Sequence, residues 1–203
     1  MTRLLVVNQY YAPDLASSGQ LLAELCEALA ASGMEVHVVA SQPSYTEGAA
    51  PAAEFEVLNS VNVHRVSVGG SVGRERMRTR AAGYVKFMFN AWNKARALAR
   101  KLKPDTVLTL SNPPSVGLIG AQVSRMINAR YVYVLYDIHP DVVIATGFTR
   151  VPAPAVWAWH KMNHYILKRA DTVIVPGQAM VDTLVQNKGV PRDRVEVIPN
   201  WGR

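Results

Sequence analysis

Short apolar runs, polar loops and stretches with an apolar residue at every third or fourth position follow one another along this chain. The first unit sets the pattern. Leu4 to Val7 reads as a buried strand. Residues 8–18 form a polar loop with aromatics and prolines. A helical pattern then opens at Gly19, with Leu22, Leu25 and Leu29 on one face, and stops at Gly33. Ser17 or Ser18 is the expected N-cap, with Ser17 and Gln20 as a capping box. The run 35–40 (EVHVVA) is the next strand, so the chain opens as β-α-β, the unit of a parallel sheet.

The alternation continues. Residues 41–55 read as a loop, and 61–66 (VNVHRV) as a strand with His64 on its polar side. Gly69, Gly70 and Gly73 lack a strand-to-helix fingerprint around them, so they read as a flexible connection. From Arg74 to Lys103 a long helix is expected, its apolar stripe made of Tyr84, Met88, Trp92, Ala95, Ala99 and Leu102. Strands are then expected at 105–110, 130–135, 171–175 and 195–198. Helices are expected from Ser115 through Ile127, at 153–169 and at 178–188. The whole is a single α/β domain with a doubly wound parallel sheet. Such sheets bind ligands beyond the carboxyl ends of their strands, near the switch in strand order. That rule selects the loops 8–18, 41–45, 111–115 and 136–141.

The first of these loops leads into a helix N-terminus, where free N–H groups and the dipole favour an anion. The last holds His139 between Asp137 and Asp141. An aspartate two residues away can orient an imidazole, and such a histidine can donate to a sugar hydroxyl or a phosphate. The alternative is a plain helix cap before residues 142–145. No dinucleotide fingerprint, phosphate-binding glycine loop with lysine, or nucleophile elbow occurs. His160 and His164 sit four apart on a helix without a nearby glutamate or third ligand, so no metal site is expected.

Composition adds direction. The 203 residues carry 22 basic and 15 acidic side chains, a net charge of +7, which points to anionic partners. Ten of the 22 basic residues lie between Arg74 and Lys103. They surround an apolar stripe instead of interleaving with stacking aromatics, so nucleic acid is not the expected partner. Such a helix is either a solvated face or a surface that meets an acidic membrane. The single cysteine, Cys26, falls on the apolar side of the first helix and reads as a small core residue. No run is long and apolar enough to span a bilayer, and no leader peptide is read at the start, so a cytoplasmic location is expected, peripheral on the inner membrane face if the basic helix docks there.

The stretch VVNQYYAPDLASSGQLLAELCEALAASGMEVHVVAS resembles the amino-terminal half of retaining family-four glycosyltransferases with the GT-B fold. So do the loops SNPPS and YDIHPD. The ending DTVIVPGQAMVDTLVQNKGVPRDRVEVIPNWGR, with its VIPN, is similar to the stretch in which that family leaves its first domain. The resemblance covers essentially the whole chain, and its nearest flavour is the bacterial branch that builds surface polysaccharides. It implies a Rossmann-like acceptor-side domain over residues 1–198, the start of a linker at 199–203, and a donor-binding domain that lies outside this chain.

The implied activity is sugar transfer with retention from a nucleotide-diphosphate sugar to a saccharide, in particular a lipid-linked one, with no separate metal or cofactor. By itself this domain would transfer nothing. By position, Ser18 and Gly19 would face the donor diphosphate, and Tyr11 would shape the acceptor side with the rest of its loop. Asn112 would contribute from SNPPS. Many members carry His-Asp where this chain has Tyr136-Asp137, and a histidine follows two positions later as His139. The contact to the transferred sugar therefore falls to Tyr136, Asp137 or His139, with Asp137 and His139 the candidates for catalysis. The family's two-glutamate donor motif is matched in spacing by Glu27 and Glu35, but Gly33 separates them onto a helix and a strand, and the match is chance. The competing reading is a non-catalytic ligand-binding or regulatory domain on the same sheet.

Overall fold

The computed structural model describes residues 1–14, 16–43, 52–68, 77–139, 141 and 152–200. The glycines at 69, 70 and 73, the start of the basic helix at 74–76, the end of the second loop and the segment after Asp141 lie outside them. The strands are β1 (Arg3–Val7), β2 (Glu35–Ser41), β3 (Phe55–Leu58), β4 (Val61–Val66), β5 (Thr106–Leu110), β6 (Arg130–Val134), β7 (Thr172–Val175) and β8 (Val195–Val197). Among the described residues the longer helices are α1 (Ser17–Ala31), α2 (Met77–Leu102), α3 (Val116–Ile127), α4 (Ala153–Arg169) and α5 (Gln178–Lys188).

One sheet holds all eight strands in the order β3-β4-β2-β1-β5-β6-β7-β8. Every pairing is parallel except β3 with β4. The chain thus builds outward from β1 in one direction, returns through α2, and builds outward from β5 in the other. The switch falls between β1 and β5, and the connections there must diverge to opposite faces.

The cores follow the pleat. Leu4, Val6, Val36 and Val38 meet Leu22 and Cys26 of α1 on one face. Leu5, Val7, Val39 and Val107 meet α2 and α3 on the other. A third cluster joins Tyr131, Tyr133 and Val173 to Ile166 of α4 and Leu184 of α5. Burial pushes the Cys26 thiol up to about 12, so it is an inert core group, as its pattern indicates.

Four expectations are corrected. First, β3 begins at Phe55, the last residue of the expected loop, and runs through residues 56–58, for which the pattern predicts no strand. It is a four-residue edge strand with half its side chains exposed, paired antiparallel to β4 through a turn at Asn59 and Ser60, both with positive φ. Second, α1 begins at Ser17 with Ala16 as N-cap and no side-chain cap bond; the Gly19 and Gln20 N–H groups both donate to the Ala16 carbonyl, so the capping box does not form. Third, the buried stripe of α2 is Phe87, Ala91, Ala95 and Ala99: Ala95 and Ala99 stand where the spacing puts them, whereas toward the N-terminus Phe87 and Ala91 are buried and the expected Tyr84, Met88 and Trp92 flank them half-buried. Fourth, His64 is buried. Its side of β4 lies under α2, the His37 ring stacks against it and the Phe55 ring lies tilted beside it.

Candidate functional site

Because β1, β5 and β6 are neighbours and parallel, the loops that follow them open side by side at one edge of the sheet, on strand spacings of about 5 Å. The first loop is held from beneath. Asn8 is fully buried, and its Nδ2 donates to the Tyr10 carbonyl at 2.8 Å. The Gln9 carbonyl accepts from both the backbone N–H and the hydroxyl of Ser41 at the end of β2. Gly19 lies against Tyr10: a Cβ there would sit 3.3 Å from Tyr10 carbons, so α1 and its loop approach as closely as backbone allows.

Arg65 of β4 is a part of the site that sequence reasoning missed. Its side chain is fully buried. It donates through Nη2 to the Ala12 carbonyl, through Nη1 to the Ser41 carbonyl at 3.4 Å, and through Nε to Glu56 Oε1 at 2.9 Å. A buried guanidinium is tolerable only with its donors matched in this way. The one sequence signal was an arginine near the carboxyl end of β4.

The second and third loops are tied to each other. The Ser111 hydroxyl accepts the Tyr136 N–H at 3.0 Å, and the Ser111 N–H donates to the Val134 carbonyl. Asn112 beside it is exposed. Tyr84 of α2 bonds the Ser115 hydroxyl, linking the basic helix to this loop.

The seven expected site residues divide by exposure. Asp137 and Asn112 face solvent at the strand ends, and Tyr136 is half-buried, its hydroxyl pKa raised by burial. Gly19 and Ser18 lie buried in the first turn of α1. Tyr11 is 1% exposed and packs in the core beside Cys26. It supports the loop from inside. His139 is turned toward α4: its ring stacks on Trp159 with centroids 5.5 Å apart, and its carbonyl accepts from Asn163 Nδ2 at 2.5 Å. Among the described residues its buried Nδ1 has no hydrogen-bond partner. Burial lowers its pKa against the opposing pull of Asp137, favouring the neutral ring. Asp141 is paired with Lys188 of α5 at 2.6 Å and does not orient the imidazole.

Among the described residues the α1 N-terminus has no side-chain cap bond at Ala16 and no acidic residue in its first turn. This edge therefore offers an exposed carboxylate, an exposed amide and a helix pole for an anion. Among the described residues no group of three or more His, Cys, Asp and Glu side chains is placed to hold a metal.

This architecture is the Rossmann-like α/β domain that forms the amino-terminal half of GT-B enzymes. The sequence from residue 18 to 201 matches the family model described as "Glycosyl transferase 4-like domain", and the chain belongs to that glycosyltransferase family. No curated protein matches the sequence. Among solved structures, sucrose-phosphate synthase from Thermosynechococcus elongatus is similar at a TM-score of 0.63 and 16% identity, covering 98% of this chain and 90% of that one. HepE from Anabaena, solved with UDP-glucose, aligns at 0.59 and 15%, covering 98% of this chain and 44% of that one. UDP-GlcNAc 2-epimerase from Methanocaldococcus jannaschii aligns at 0.56 and 12%, covering 98% and 46%. At these identities the likeness is one of fold. The chain spans under half the length of the last two proteins.

Proposed function

We propose that this domain forms the acceptor-side wall of a cleft in which a sugar passes from a nucleotide-diphosphate donor to a saccharide acceptor, with retention of configuration. The observation that carries the reading is the grouping of three polar loops on β1, β5 and β6 beside the uncapped pole of α1. The first turn of α1, with Gly19 leaving its backbone bare, meets the donor diphosphate. Asp137 accepts hydrogen bonds from hydroxyls of the transferred sugar or the acceptor, and Asn112 positions the acceptor. Tyr11, Tyr136 and His139 hold these groups in place. Most of the donor's contacts come from a second domain that follows residues 199–203.

The acceptor in this reading is lipid-linked, of the kind used to build surface polysaccharides, and α2 brings the domain to an acidic membrane. Its outer face exposes Val85 and Phe89 at 67% and 64% beside Lys86, while Arg96 lies over the Trp92 ring. Apolar side chains flanked by cations suit an interfacial helix. No helix among the described residues is long and apolar enough to cross a membrane.

The test uses the protein extended through its second domain and supplied with nucleotide sugars and a lipid-linked saccharide. Transfer with retention, lost in Asp137→Asn, is the expected result. Turnover by the 203-residue chain alone, or full activity of the Asp137 variant, overturns the reading.

A further inference from the structure

A groove runs between α4 and α5, away from the cluster at the ends of β1 and β5. It consists of two cavities of about 410 and 310 Å³ that share His164, Leu167 and Lys188 as walls. From Trp157 to Lys168 it follows α4 for twelve residues, whose eleven helical rises span about 16 Å. Its floor is apolar, with Leu167 and Val190 buried. Its charge is of one sign. Lys161, Lys168, Lys188 and Arg194 line it, and of these only Lys188 pairs with a carboxylate among the described residues, that of Asp141.

The remaining groups narrow the ligand. Trp157 stands 64% exposed at one end, its ring approached by Lys161 Nζ at 5.7 Å. His160, His164, Asn163 and Asn187 also line the groove, the Nδ2 of Asn163 being taken by the His139 carbonyl. A bare phosphate needs cations but no aromatic surface or apolar floor. A nucleic acid strand needs successive stacking aromatics, and the groove lining holds Trp157 as its aromatic. An exposed indole, amides and imidazoles for hydroxyl groups, and cations spread over this length fit the faces, hydroxyls and acid groups of a charged sugar chain.

We propose that the α4–α5 groove is a binding site for an anionic oligosaccharide, separate from the site of sugar transfer. Trp157 stacks on a ring of the chain. Lys161, Lys168 and Arg194 engage its acid groups. The groove also abuts the back of the third strand-end loop, since Asn163 holds the His139 carbonyl and Lys188 holds Asp141. The site does not depend on the proposed transfer, and none of its ligand-engaging side chains belongs to the strand-end cluster.

The test measures binding by calorimetry with an oligogalacturonate, a neutral oligosaccharide of equal length and inorganic diphosphate. The acidic oligomer should bind at least about tenfold more tightly than the neutral one. Lys168→Glu with Arg194→Glu should weaken it by about tenfold or more, and Trp157→Ala by about fivefold. All three positions are exposed, and circular dichroism checks that the fold is kept. Equal binding of acidic and neutral oligomers, or an affinity unmoved by the charge reversals, overturns the proposal. Competition by diphosphate with no effect of Trp157→Ala also overturns it, because that is an anion site and not a saccharide site. An Asp137→Asn chain should bind the oligomer unchanged, so the groove and the transfer reading stand or fall separately.

Discussion

Arg65, at the carboxyl end of β4, donates to the carbonyl of Ala12, in a loop that leaves β1 two strands away. The same guanidinium bonds the Ser41 carbonyl and Glu56, so one side chain ties the first loop, the second loop and the edge hairpin together. Arg65→Ala should leave three acceptors without their donor. Breaking a buried pair costs roughly 3–5 kcal/mol, and the lower end applies here because the Glu56 side chain retains 24% exposure. Urea denaturation reads the cost. Hydrogen exchange should show faster opening of residues 8–14 than of β5. A loss below about 1 kcal/mol with unchanged exchange would remove Arg65 from this role.

Much of the fold could be read from the sequence because strands β1, β2, β5 and β6 are buried on both faces and therefore stand out as apolar runs. β3 did not, since an edge strand of alternating exposure leaves no such run. The α2 stripe matches at Ala95 and Ala99 and is shifted by one position toward the N-terminus for a related reason. The helix packs through Ala91, Ala95 and Ala99, which bring its backbone close to the sheet, while the larger Tyr84, Met88 and Trp92 beside them dominate the pattern. At the site, strand order was enough to bring Asp137, Asn112 and Gly19 to one edge. The burial of Tyr11 and the strut made by Arg65 were not legible, because they depend on partners distant in sequence: Cys26 for Tyr11, and the carbonyls at 12 and 41 for Arg65.

Two glycines should respond differently to alanine. At Gly120 a Cβ would meet the Tyr131 ring and, at 2.7 Å, Thr109 Cγ2. Tyr131 is fixed there by its hydroxyl, which donates to the Gly117 carbonyl at 3.0 Å and shares a hydrogen bond with Thr109 at 2.7 Å. Gly120→Ala must lift α3 or break these bonds, a loss of about 2–3 kcal/mol or more. At Gly19 the added methyl meets Tyr10 at 3.3 Å, a contact that small shifts relieve, and alanine gains up to about 1 kcal/mol in helix propensity. Thermal or urea unfolding should therefore show Gly19→Ala within about 1 kcal/mol of the parent. Its defect should appear as weaker donor binding in the two-domain protein. A severe stability loss at Gly19, or none at Gly120, contradicts the packing described.

Acid should destabilise the domain through His64. His37 Nε2 lies 3.0 Å from Glu35 Oε1 and its Nδ1 lies 3.1 Å from His64 Nε2. With both rings neutral, His37 donates to Glu35 and accepts from His64. Burial, then His37, Lys94 and Lys101, push the His64 pKa down to about 4. The unfolded chain takes up this proton near pH 6.5 and the folded chain only near 4, so stability falls as pH drops through that interval. Allowing for solvent screening, the loss is on the order of 1–2 kcal/mol. Glu35, whose pKa is lowered first by its bond to Arg3, adds its own loss at the acid end of the interval, where the unfolded carboxyl takes up a proton before the folded one does, so the His64 contribution is read above about pH 5. Urea midpoints between pH 7 and 4 measure it, and His64→Gln should flatten the curve. A parallel slope in the variant would assign the acid sensitivity elsewhere.

Membrane attachment should depend on both the apolar and the basic side chains of α2. Val85 and Phe89 project from the outer face, which also exposes Lys86 and Arg100. Each cation near an acidic surface contributes about 1 kcal/mol, and the attraction decays within a Debye length of roughly 8–10 Å. The chain should float with vesicles containing acidic lipid, stay behind with neutral ones, and be released by high salt. Phe89→Ser with Val85→Ser should weaken flotation without unfolding the domain, because neither side chain is in the core. Lys86→Glu with Arg100→Glu should weaken it more strongly, and only at low salt. Flotation that ignores lipid charge and salt while still needing Phe89 would mark an apolar contact alone. Flotation indifferent to all four side chains would place the docking surface away from α2.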